Sequence, residues 1–216
     1  MEQTLRFLAE LRENNNREWF TAHREQYEAA RDSFADLVQE LIFRANSLMP
    51  LGNLSARECI MRIYNDMRFH KDRPPYKTNF GASIRPGGKN SQYSGYYLHL
   101  EPENSFLAGG LYAPSGKQLR PVRERIAEDD QPLRNLLAAP EFRSAFGELS
   151  GERLKTSPRG YSSEHPAIDL LNFKQFVVFH PVSHTRVTSA GFADDALGVF
   201  AAMTPLLRWL NETAAA

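Results

Sequence analysis

The sequence predicts an α+β fold: a single compact domain whose central, mostly antiparallel sheet is flanked by N-terminal and C-terminal helices. Three features of the chain predict it. Apolar residues recur at helical spacing at both ends, short alternating runs lie close together between them, and no repeat or low-complexity linker divides the parts. With 216 residues, 42% of them hydrophobic, the chain can build a sizeable core without a disulfide or a metal to staple it.

The helical N-terminal part is expected over residues 1–50. Residues 4–13 place Leu5, Leu8 and Leu11 on one stripe with Phe7 beside it, and Asn14, Asn15 and Asn16 break the pattern. A second, long helix is expected over 17–46. Its stripe runs from Trp19 and Phe20 through Tyr27, Phe34 and Leu41 to Ala45, with Arg24, Glu28, Arg31 and Glu40 opposite. Pro50 and Gly52 end it.

The sheet-containing part is expected over 51–190. Residues 59–64 read as a short β-like run. Residues 79–85 alternate, with Phe80, Ala82 and Ile84 on one face. Residues 96–101 and 105–112 alternate again, and the short Pro102, Glu103, Asn104 link predicts a hairpin. Within that pair Tyr96, Leu98 and Leu100 share the expected core face; Tyr97, His99 and Glu101 share the other. Gly109 and Gly110 mark a bulge or a close approach of backbone to a ligand, the bulge being the simpler reading. Helices are expected over 116–128, over 131–146 with an interruption near Pro140, and over 165–171 with Pro166 in the first turn. Residues 173–182, rich in Phe and Val, read as a strand. A C-terminal part at 191–213 carries the last helix, about 193–211, which should kink or restart at Pro205 with Thr204 as its N-cap.

Charge limits the functional classes. Lys plus Arg number 26 and so do Asp plus Glu, and a neutral chain argues against broad electrostatic wrapping of nucleic acid or membrane. No window approaches the roughly 18 apolar residues of a membrane span. The N-terminus lacks a signal-peptide pattern, and Cys59 has no second cysteine to pair with, so a cytoplasmic location is expected.

One stretch departs from this balance. Residues 57–89 hold eight Lys or Arg against three acids, a local excess of five positive charges. Pro74 and Pro75 stiffen its centre, and the following residues offer a hydroxyl, an ammonium, a second hydroxyl and an amide. Arg and Lys in such a loop can hold phosphate or carboxylate. The candidate ligand-binding residues here are Arg62, Asp66, Arg68, Lys71, Tyr76, Lys77 and Asn79. Alternatively, Asp66 and Asp72 pair with Arg62, Arg68 or Lys71 and merely fix a long connection. Further along the chain, Tyr112 would orient the ligand together with Tyr76 by hydroxyl bonds or stacking, Arg123, Lys155 and Arg159 are second-rank contributors, and His165 is a further candidate. His165 and Asp169, four apart, would meet on a helix as a general-base pair or as a braced helix start. Cys59, among Ile60, Met61 and Ile63, reads as a buried strand thiol rather than a nucleophile. His180 and His184 lack acidic or Cys partners, so no metal site is expected; nor is a P-loop, a GxGxxG or a GxSxG present to imply a cofactor or a serine nucleophile.

The run RIYNDMRFHKDRPPYKTNF at 62–80 is distinctive, as are NNNREWF at 14–20, GYYLHLEP at 95–102, GGLYAP at 109–114, LKTSPRGY at 154–161, HPAIDLL at 165–171 and PLLRWLN at 205–211. Through these the chain resembles the bacterial family catalogued as domain of unknown function 2461. The resemblance implies an α+β domain over nearly the whole chain and assigns no activity. Members of that family often carry Arg where this chain has Asn65, and Ser where it has His70, so an anion site needing a charge at 65 would be weaker here.

The expected function is that of a binding module or enzyme for a small phosphate- or carboxylate-bearing ligand, with no catalytic residue assigned. Nucleic-acid binding through the same cations is the second expectation and is not favoured by the neutral total charge. The third is a protein-interaction domain without a small ligand. No membrane partner is expected, and the oligomeric state is left open.

Overall fold

The computed structural model describes residues 1–66 and 73–214. Four antiparallel strands, β1 (Phe80–Ile84), β2 (Gly95–Leu100), β3 (Phe106–Leu111) and β4 (Phe176–Pro181), lie in the order β1-β2-β3-β4. The helices are α1 (Glu2–Glu13), α2 (Arg17–Ala22), α3 (Arg24–Ala45), α4 (Ala56–Cys59), α5 (Gly116–Glu128), α6 (Gln131–Ala138), α7 (Pro140–Phe146), α8 (Ile168–Leu171), α9 (His184–Val187) and α10 (Phe192–Ala214). Together they form one α+β domain with helices at both ends of the chain.

Alternation along the strands decides which face is covered. Phe80, Ala82, Ile84, Tyr96, Leu98, Leu100, Leu107, Phe176 and Val178 are buried in the core, where β1 meets α3 and β3 meets α10. Phe34 of α3 stacks on Phe80, with ring centroids 5.4 Å apart. Tyr96 stacks on Phe200 of α10 at 4.4 Å, and its hydroxyl lies 2.8 Å from Thr204 Oγ1. Tyr96 is thus a core residue with a satisfied polar end, as its alternation predicts.

Several local expectations are corrected. The helix expected over 17–46 is two, broken at His23, whose ring stacks on Trp19 and whose Nδ1 lies 2.8 Å from the Trp19 carbonyl oxygen. Of the β-like run expected over 59–64, Cys59 closes the helical turn α4, which Ser55 and Glu58 start with a capping box, and Ile60 and Tyr64 make isolated bridges instead of a strand. Cys59 is buried as expected, but on that turn. Gly109 and Gly110 make no bulge: they pair in unbroken register with Val178 and Val177. A β-carbon at Gly109 would strike Met203, so the missing side chain lets α10 approach β3. At Pro205, α10 continues without a restart. Thr204 donates its hydroxyl back to the Phe200 carbonyl rather than capping. Ala201 and Pro205 both lie on the exposed side, so the carbonyl that Pro205 leaves without a helical partner can meet water. No helix among the described residues is long and apolar enough to cross a membrane.

Candidate functional site

The basic stretch is folded back on itself by a short ladder. The Asn65 amide donates to the Pro75 carbonyl, the Lys77 amide donates to the Ile63 carbonyl, and Tyr64 bridges Tyr76. Asn15 clamps this neck from the α1–α2 turn: its Nδ2 donates to the Tyr76 carbonyl at 2.9 Å, and its Oδ1 accepts from the Tyr76 amide at 3.1 Å. Extended backbone sends neighbouring side chains to opposite sides. Tyr76 therefore turns inward and stacks on Phe20, with centroids 3.9 Å apart, while Lys77 lines a cleft of about 880 Å³.

Tyr27, Arg31 and Ala35 form one wall of this cleft, a stripe of α3 at four-residue spacing. Arg57, Arg62 and Lys89 stand around it with Lys77. Among the described residues, no carboxylate lines it. Lys77 is partly buried, and burial, then the nearby Arg62 charge, push its ammonium below the usual lysine range. Lys89 Nζ donates to the Arg57 carbonyl, an uncharged acceptor, at 2.8 Å. Gly88, at φ 75, passes 3.0 Å from the Glu58 carbonyl oxygen when given a β-carbon, so a side chain here would be strained and crowded. Arg31 is bonded to Asp32, at 2.8 Å from Nη2, and Arg62 lies 3.7 Å from Asp66; both are exposed pairs of small energetic weight.

The remaining candidates fall elsewhere. Arg68 and Lys71 lie outside the described residues. Asn79 Nδ2 sits 3.5 Å from His99 Nδ1, and Tyr112 lies at the rim of a separate cavity on the sheet. Arg123 donates to the Leu171 and Phe173 carbonyls at 3.0 Å each, a structural tie between α5 and the segment before β4. Lys155 and Arg159 are exposed and line neither cavity. His165 and Asp169 do not meet as a pair. The His165 Nδ1 accepts from the Ala167 amide in a turn before α8, and Asp169 takes two bonds from Arg134, at 3.0 and 2.7 Å. Of the proposed set, Arg62 and Lys77 come together at the cleft, and the distant basic segments do not join them.

Arg31, Arg57 and Lys89 were not singled out from the sequence. Arg57 and Lys89 are visible only as members of the local charge excess. Charge pattern alone puts Arg31 on a solvent face, although its position four after Tyr27 is the signal that places it on this wall.

The family model described as conserved hypothetical protein (DUF2461) matches residues 3–209. The chain belongs to this family. The match covers both the DUF2461 sheet and the basic cleft beside it. No curated protein and no solved structure matches the chain significantly.

Proposed function

We propose that the chain binds a small phosphate- or carboxylate-bearing ligand in the basic cleft. The observation that supports this most directly is Lys77, a partly buried ammonium in a cleft whose other charged walls are also cationic. A buried charge is costly unless something opposite meets it, and an anionic ligand would supply that partner. Arg57, Arg62 and Lys89 would complete the neutralisation, and the neck held by Asn15 pre-orders Lys77. A cytoplasmic setting belongs to the same reading, consistent with a lone buried thiol whose ionisation burial pushes up to about 12. Catalysis is not part of it.

The test is titration calorimetry with inorganic pyrophosphate, on the wild type and on Lys77→Met, Arg57→Gln and Arg159→Gln. Binding should weaken tenfold or more in the first two variants and stay unchanged in the third. Equal binding in all four proteins, or none in the wild type, overturns the reading. A steep fall with salt, together with tighter binding of oligonucleotides than of pyrophosphate, would replace the small anion by nucleic acid.

A further inference from the structure

The sheet face opposite the core lines a second cavity, of about 390 Å³. Strand register sets its layout. Ser83, Tyr97, Ala108 and Phe179 stand side by side across the four strands, and Gly81, His99, Phe106 and Pro181 form the next row. In the row before them Gly95 pairs with Gly110 and Gly110 with Val177, and Arg85 leans over Gly95, where a β-carbon would collide with it. The centre is therefore a floor of Gly95, Ala108 and Gly110, bounded by a cation on one side and aromatic rings on the other.

The two sides differ in chemistry. Phe106 stacks on His99 at 4.4 Å and meets Phe179 edge-on at 5.4 Å. On the other side, Arg85 Nε donates to Ser83 Oγ at 2.8 Å, and Nη1 donates to the Ser91 and Tyr93 carbonyls at 3.3 and 3.1 Å. Three of the five guanidinium N–H groups are thus used, all on uncharged acceptors. The two on Nη2 have no protein acceptor among the described residues, and burial lowers the Arg85 pKa.

Between the sides runs a hydrogen-bonded chain. Glu101 accepts from the Thr78 hydroxyl at 2.9 Å and from Asn104 Nδ2 at 3.0 Å, and its Oε2 lies 3.2 Å from His99 Nε2. Burial favours neutral His99, whose pKa is lowered. With the proton on Nε2 toward Glu101, Nδ1 accepts from the Tyr97 hydroxyl, 3.2 Å away. The polar wall is thereby fixed in orientation, and its one full positive charge is Arg85.

We propose that this cavity is a second, separate ligand site that takes a flat aromatic carboxylate, its ring lying on the Gly95–Ala108–Gly110 floor against Phe106 and Phe179 and its carboxylate on Arg85. The volume falls within the roughly 300–1,000 Å³ of small-molecule sites. A planar ring suits a floor with no side chain larger than the Ala108 methyl, set between aromatic edges. A single guanidinium with one free nitrogen matches a monoanion; a phosphate dianion would keep an uncompensated charge in a mostly apolar cavity. The same reasoning separates this site from the basic cleft, where several cations converge.

The probes are 1-naphthoate and its uncharged counterpart 1-naphthamide, titrated calorimetrically into the full chain. Naphthoate should bind at least tenfold more tightly than the amide. Arg85→Met should remove that preference, and Ala108→Leu, which raises the floor, should weaken both. Lys77→Met and saturating pyrophosphate should leave naphthoate binding unchanged, so this site and the basic cleft fail independently. Absent binding to the wild type, equal affinity for acid and amide, or displacement by pyrophosphate overturns the proposal. Should Arg85→Met not fold, the acid-to-amide ratio and Ala108→Leu still decide it.

Discussion

Lys77, Arg57 and Lys89 surround a cleft to which the described chain contributes no carboxylate, whereas Arg120, Arg123 and Arg134 of the second half are spent within the chain. Arg120 bonds Glu124 at 2.8 Å, Arg123 holds two carbonyls, and Arg134 spans Asp130 and Asp169. Both regions look alike in the sequence, as several basic residues beside a proline. What separates Lys77 from these three is whether the fold brings the cation an acceptor of its own among the described residues. Local charge excess is therefore informative only when the acids that could cancel it are absent in space as well as in sequence.

The contrast breaks first on stability. Arg123→Met should destabilise the fold by about 1–3 kcal/mol, because two carbonyls lose their donor and the polar tie to α5 goes. Lys77→Met should be neutral or slightly stabilising, since it removes a desolvated charge without an acid partner. Urea unfolding of both variants measures this. A Lys77 variant that falls as far as the Arg123 variant would mean that the cleft cation is structural.

Pyrophosphate sharpens the same contrast with a smaller effect. At ten times its Kd it should stabilise the wild type by about 1.4 kcal/mol, visible as a raised Tm. Arg134→Met should show the same increment on a lower baseline, and Lys77→Met should lose it. An increment that survives Lys77→Met would move the anion site away from the cleft.

Much of the scaffold was readable beforehand because strand alternation and helix stripes report burial directly: Phe80, Ala82 and Ile84 share the core face, and α5 occupies the stretch expected for it. The misreadings share one cause, local bonding that outranks pattern. His23 breaks a continuous stripe through its own ring, the Ser55–Glu58 box starts a helical turn that takes in Cys59 from the head of the β-like run, and α10 runs on through Pro205 while Thr204 bonds back along it. The site was half legible. Arg62 and Lys77 follow from charge counting, but Arg31 comes from another element, and no one-dimensional count can show that Arg123 faces carbonyls. Tyr97, His99 and Glu101 were placed on one face by alternation, yet nothing in their spacing reveals Arg85 across the floor from Phe106 and Phe179.

The finest distinction between the two regions is the end of the pH scale at which each charge acts. The Arg134 guanidinium holds the Asp169 carboxyl below its ordinary value of 3.8, so the folded state binds that proton less readily than the unfolded chain. The stabilisation is present above 3.8 and is lost as the pH falls through the lowered folded value. Lys77 has the same sign in a different window: burial, then Arg62, lower its pKa from 10.5, so between the folded value and 10.5 the unfolded chain holds more protons, and stability rises with pH as the unfavourable charge is lost. Urea midpoints measured across pH should therefore show the deficit of Arg134→Met shrinking toward acid. Any advantage of Lys77→Met should shrink toward alkali. Two variants whose profiles ran parallel to the wild type at both ends would mean that neither cation sits in the electrostatic setting described, and the division between spent and unspent charge would fall with them.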